Sequence, residues 1–379
     1  MKFWLIPILL VLMSGMVSLS QTTTAFPQPF TIDIDPMERL LLINIEKDPD
    51  SLYVGFEPQV FNDTVNGEGH LVIGWRVDGK VDVYHQPGLK LNPGKYDIAG
   101  KGLANLVQTN FKTAFFEVNN FGVQAHYLFA DLHERTIQLA VKESNPKPRS
   151  PFGLLAPMGS VAEAPSSMPL ILLHDFYFVR QKHTEITIMV NGQKHEPDRL
   201  PMSIDGTKMY FTRYCPDPLI ATFNPKQDGL LPVIDIVPGQ QSNTQGNYEY
   251  SIVWENNTPS IQKLTRKHTK HPIELRFKPA FPNIATLPNQ TLFEGYFEIE
   301  GDYSTGRIGG YYLISKTNGE TTIELVPSKG WIPRPNKLSL RFLYTVGKVF
   351  KQWPTTYRWN AVITKNDGNL HIKSEWKRD

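Results

Sequence analysis

The chain has 379 residues, 40% of them hydrophobic, with one cysteine and a formal net charge of +2. Near-balanced charge leaves no electrostatic footprint for nucleic-acid binding, and a single thiol excludes an internal disulfide and a thiolate metal cage. The length is too great for one ordinary core and comfortable for two.

Lys2, the apolar run Phe3 to Val17 and small residues at Ser18 and Ser20 read as a secretory signal peptide over residues 1–20. The apolar core is short for a membrane span, and polar Gln21, Thr22, Thr23 and Thr24 follow directly. No later segment is apolar enough to make a stable span. The expectation is a secreted or periplasmic protein, soluble after cleavage.

The apolar residues then recur with period two. "HLVIGWRV", "KVDVYH", "AFFEVN", "VQAHYLF", "TIQLAVK" and "TEITIMV" are rich in β-branched and aromatic residues and predict strands. So do "YEYSIVW", "IELRF", "GYFEIEG", "GGYYLIS", "TTIELV", "LSLRFLY" and "RWNAVIT" in the second half. Asn191-Gly192, Asn318-Gly319 and Asp367-Gly368 supply the positive φ of tight hairpins between such runs. With no convincing 3.6-residue period, the fold class is all-β: two antiparallel domains, barrel or sandwich, with few or no helices. Their expected bounds are 21–235 and 236–379. Turn formers and amides cluster around residues 224–247, and the charge balance changes sign there. Residues 21–219 hold 18 Lys/Arg against 23 Asp/Glu, and residues 220–379 hold 20 against 14.

Candidate pocket residues come in chain order. Glu57, in "YVGFEPQVF", is an acid among apolar neighbours; buried, its pKa would rise and suit general acid or base chemistry. Otherwise it is a surface glutamate before a turn. His85 shares a strand face with Val81 and Val83, and His126 shares one with Gln124 and Leu128; each is a core or rim histidine or a pocket residue. Residues 144–169, "SNPKPRSPFGLLAPMGSVAEAPSSMP", hold six prolines, which forbid a helix or central strand. Their apolar centre, Phe152, Leu154, Leu155 and Met158, does not suit a solvated tether. The segment reads as a loop packed over the first domain, either a structural cover or a lid over a cleft.

In "HDFYFVR", strict alternation puts Leu173, Asp175, Tyr177 and Val179 on one face and His174, Phe176, Phe178 and Arg180 on the other. His174 and Asp175 therefore form no dyad unless a bulge intervenes; Asp175 with Tyr177, or His174 with Arg180, lines a pocket or belongs to a hydrogen-bonded structural network, and Asp175 and Tyr177 are the pocket candidates. Cys215, before Pro216, reads as a buried inert thiol. "KLTRKHTKHPIELRFK", residues 263–278, holds six Lys/Arg and two His; it is either a charged strand edge or a surface for an anion or protein partner. Trp331, Tyr344, Phe350, Trp353, Tyr357, Trp359 and Trp376 concentrate aromatics late, to pack a core or, if exposed in a row, to stack on sugars. Trp331 and Trp359 join the pocket candidates.

Chemistry-bearing motifs are missing: no G-x-S-x-G, H-E-x-x-H, C-x-x-C or phosphate-cradling loop occurs. No cofactor is implied, and no His or carboxylate spacing announces a metal.

"FEGYFEIEGDYSTGRIGGYYLIS", residues 293–315, resembles the closing strands of two-domain lipocalin-like proteins of the carotenoid-hydratase and AttH type. The matching residues are Phe293, Glu294, Gly295, Gly301, Gly310 and Tyr311. The resemblance implies two lipocalin-like domains and an apolar small-molecule pocket, with hydratase or pericyclase chemistry in some members. It carries over no catalytic residue. The leading expectation is an exported protein binding an apolar or amphipathic small molecule. The alternatives are a glycan-binding or glycan-cleaving protein and an interaction protein without small-molecule chemistry.

Overall fold

The computed structural model describes residues 23–162 and 164–379; the signal-peptide expectation for 1–20 lies outside them. Alternating apolar residues form strands that assemble into three large sheets and one two-stranded pair, Thr24–Pro27 with Val233–Ile236. The chain is all-β, with only two short α-helices among the described residues.

The first sheet has eleven strands. Its path runs Ile32–Asp35, Asp217–Phe223, Met168–Arg180, Thr207–Cys215, Arg39–Asn44, Tyr53–Asp63, Gly67–Arg76, Val81–His85 and Leu103–Gln108. Phe152–Ala156 and Arg199–Ile204 pair beside it. The second sheet has five strands, drawn from Thr113 to Glu143 and from Thr184 to His195. The third has ten; nine of them, from Ser242–Gln245 to Asn369–Arg378, pair in chain order, and Gln227–Leu230 pairs with the last. The expected hairpin dipeptides turn as their chemistry requires: φ is +50° and +82° at Asn191 and Gly192, +52° and +82° at Asn318 and Gly319, and +48° and +85° at Asp367 and Gly368.

Two expectations are corrected. "LSLRFLY" is not a strand but the start of the helix Leu338–Val346, followed by Lys348–Gln352. Its apolar residues alternate, yet Leu340, Leu343 and Tyr344 also stand at helical spacing, and it is that face which packs inward. Strict alternation in "HDFYFVR" also fails. Asp175 adopts φ +52° and is exposed, and the pairing with Phe152–Ala156 shifts register beside it. This bulge moves Leu173 onto the face of Phe176 and Phe178. Residues 152–156, between Pro151 and Pro157, form a short strand inside the proline-rich stretch. It pairs with Ile171, Leu172, Leu173 and Phe176 of the long strand Met168–Arg180.

The core runs continuously through the molecule. Phe30, from the first half, lies 4.8 Å from Phe281, 5.1 Å from Phe277 and 6.0 Å from Trp359, ring centre to ring centre. The first and second sheets are joined by a buried ion pair, Arg180 Nε to Glu143 Oε1 at 2.5 Å, in which both side chains are fully enclosed. The backbone carbonyl of Lys147 accepts from Nη1, and those of Phe121 and Asn145 accept from Nη2. Every nitrogen of the buried guanidinium therefore has a hydrogen-bond partner. No helix among the described residues is long and apolar enough to cross a membrane.

Candidate functional site

One face of the eleven-stranded sheet borders a cavity of about 480 Å³. Cross-strand partners build its floor. Ile171 stands opposite Ile220, Arg213 opposite both Phe178 and Leu42, and Glu57 opposite Ile73. Phe152, Leu154, Ala156, Pro157 and Met158 make one wall, so the apolar centre of the proline-rich stretch faces this space. The helix pair makes another through Leu343, Tyr344, Gly347, Val349 and Phe350. Those helices are braced from behind, where Trp331 lies 5.0 Å from Tyr344 and 5.5 Å from Phe350. Trp353 Nε1 donates to the Met158 carbonyl at 2.7 Å, tying the helix pair to the proline-rich wall.

The polar groups are few and paired. Glu57 is 4% exposed; Gln59 Nε2 donates to one of its oxygens at 2.8 Å and Trp75 Nε1 to the other at 3.1 Å. Burial raises the Glu57 pKa, while these donors and the Arg213 guanidinium pull the other way. Burial likewise pushes Arg213 down to about 10, which leaves it cationic at neutral pH. Arg213 donates to Asn44 Oδ1 at 2.5 Å and to the Phe211 carbonyl at 2.9 Å. Lys95 Nζ meets Asp35 Oδ1 at 2.7 Å, both side chains reaching solvent at the cavity rim. The wall thus matches two acids with two bases.

Of the candidate residues read from sequence, Glu57, Phe152, Leu154 and Met158 line this cavity. Leu155 is buried in the core beside it. The other candidates stand elsewhere. His85 turns Nδ1 to the Gln86 carbonyl at 3.0 Å, and His126 sits in Gly122–Ala130 of the second sheet. Asp175 is exposed on its bulge, and Tyr177 donates to Asp205 Oδ2 at 2.8 Å. Trp359 is wholly buried and Trp331 donates to the Thr305 carbonyl at 3.0 Å. The late tryptophans therefore pack the core and present no row for sugars. Cys215 is buried, and burial raises its thiol pKa far above neutrality.

Sequence reasoning missed Gln59, Arg213, Asp35, Lys95 and Tyr96, all of which line the cavity. Gln59 was findable, since it lies two residues from Glu57 on the same strand face. Arg213 and Lys95 come from distant segments and leave no local signal. Within 263–278 the charges are largely engaged: Lys263 and Arg276 with Glu274, Arg266 with the Ile32 carbonyl, Lys270 with Asp217.

The fold and site define an all-β protein with an apolar cavity, open at its rim, beside one buried acid. In comparisons with protein-family models, curated proteins and solved structures, nothing matches the chain.

Proposed function

We propose that this is an exported protein that binds an apolar or amphipathic small molecule in the cavity beneath residues 152–158 and the helix pair. The observation that carries the reading is a cavity of about 480 Å³ walled by Leu, Ile, Phe and Met with a handful of convergent polar groups. Matched charges along its wall favour a neutral ligand, because an ionised one would leave an unbalanced charge in a poorly hydrated space. Glu57 and Gln59 offer an acceptor and a donor for a single hydroxyl or carbonyl, which sets the ligand's orientation. The resemblance of residues 293–315 to lipocalin-like proteins agrees with a pocket of this kind.

The test uses Nile red, a neutral polarity-sensitive dye, titrated into the purified full chain. The reading predicts one saturable, blue-shifted site whose affinity falls at least about tenfold in Ala156→Trp, which fills the cavity. Leu292→Ala, on the exposed face of the third sheet, leaves it unchanged. No saturable binding, or binding indifferent to Ala156→Trp, overturns the reading.

A further inference from the structure

Where the first and third sheets meet, four side chains from separate segments converge, two on strands and two on connections. None of them lines the cavity. His174 stands in Met168–Arg180, directly opposite Asp217 at the start of the neighbouring strand. His271 lies in the connection between Thr258–Arg266 and Ile273–Pro282, and Asp302 follows Thr291–Glu300. The two imidazoles stack with centres 3.6 Å apart and planes 5° from parallel.

Asp217 fixes which nitrogen of each ring bears a proton. Its backbone carbonyl, which only accepts, lies 3.0 Å from His174 Nδ1, so that nitrogen carries the hydrogen and Nε2 keeps its lone pair. Its carboxylate lies 3.0 Å from His271 Nε2, the position that takes the N–H when that ring carries one proton. His271 Nδ1 then also presents a lone pair. Both lone pairs face the same atom, Asp302 Oδ2, at 3.2 Å from His174 and 2.7 Å from His271. His174 is 6% exposed, and its Nε2 has no hydrogen-bond partner despite this proximity. With each ring singly protonated, three acceptors aimed at one point repel unless a proton or a metal ion lies between them, and a proton shared by His271 Nδ1 and Asp302 still leaves His174 Nε2 without a partner.

We propose that His174 Nε2, His271 Nδ1 and the Asp302 carboxylate bind a divalent transition metal, zinc above all. Two imidazoles and a carboxylate are a borderline donor set that zinc accepts readily. At zinc–ligand lengths of about 2.0–2.1 Å the edge of a coordination tetrahedron is about 3.3 Å, close to the 3.2 Å between His174 and Asp302, while His271 and Asp302, at 2.7 Å, must move apart on loading. Asp217 is the outer partner that orients both rings and raises their basicity. The side chain of Asp302 is 37% exposed, so water reaches the fourth position. A metal bonds along the plane of each ring, so loading tilts the two rings out of their parallel stack. Because the ligands come from both halves of the chain, the ion ties the first sheet to the third and stabilises the folded state by mass action.

The test is a zinc titration of the chelator-treated full chain against a chromophoric competitor, with cobalt as a spectroscopic substitute. We expect one zinc per chain, intense visible bands of four-coordinate cobalt, and a melting temperature that rises with added zinc. His174→Asn and Asp302→Asn weaken binding at least about tenfold, as does Asp217→Asn from the outer position, while Lys267→Ala has no effect. Saturable zinc binding that survives both ligand substitutions overturns the proposal by placing the ion elsewhere. So does a wild-type chain that binds no zinc and whose melting temperature responds to acid alone, because a proton then bridges the three acceptors. Wild-type stoichiometry and cobalt spectra decide the matter even if a variant misfolds.

Discussion

Glu57 is the residue on which the cavity's chemistry turns. Its folded form holds a proton more tightly than the unfolded chain, because burial penalises the carboxylate. Stability from this group is therefore full below the ordinary carboxylate range and declines as pH rises through the raised folded value. Glu57→Gln keeps an acceptor for Gln59 and Trp75 and removes the titration. Its melting temperature, compared with that of the wild type across a pH series, gains steadily as pH rises through that window; a constant difference would show that Glu57 does not titrate abnormally. The Arg180–Glu143 pair makes a second claim at this scale. Arg180→Met leaves Glu143 buried without its counter-charge and costs about 3–5 kcal/mol, measured by denaturant unfolding. Asp175 makes a third. At φ +52° a glycine replaces it without strain, whereas Asp175→Val costs about 1–3 kcal/mol.

At the scale of elements, the helix pair is the most informative. Leu340 is fully buried, whereas Phe342 is 58% exposed. In a strand the two would share a face; in the helix they diverge. Leu340→Ala thus costs about 2–5 kcal/mol, while Phe342→Ser stays within about 0.5 kcal/mol, and equal losses would argue for a strand. This helix also marks the limit of what local sequence conveys. "LSLRFLY" satisfies both periods, and only packing of Tyr344 against Trp331, from a strand before it, decides between them. The hairpins at Asn191, Asn318 and Asp367 were legible because a two-residue turn carries its own backbone chemistry. The bulge at Asp175 was not, since an exposed aspartate fits an ordinary strand face equally well. Glu57 was visible as an acid in an apolar run. Its surroundings were hidden because Arg213 and Lys95 reach it from segments far apart in the chain.

For the whole molecule, the decisive fact is that sheets from both halves share one core. Phe30 packs among Phe223, Phe277, Phe281 and Trp359, and Trp376 near the chain end donates to carbonyls of Phe223 and Asn224. The cavity follows the same pattern, with a floor from the first sheet and a wall from the late helices. Neither half encloses it alone. The chain is therefore expected to unfold in one calorimetric transition, and Phe30→Ala to lower that transition by a loss of about 3–5 kcal/mol. Two separated transitions would show that the shared core contributes little. The cavity itself is tested most directly by native mass spectrometry of the protein purified from its own host. The account predicts a reproducible excess of a few hundred daltons that organic solvent removes and that Ala156→Trp lacks. A bare mass for the wild type under gentle conditions, together with no change on solvent extraction, would contradict it.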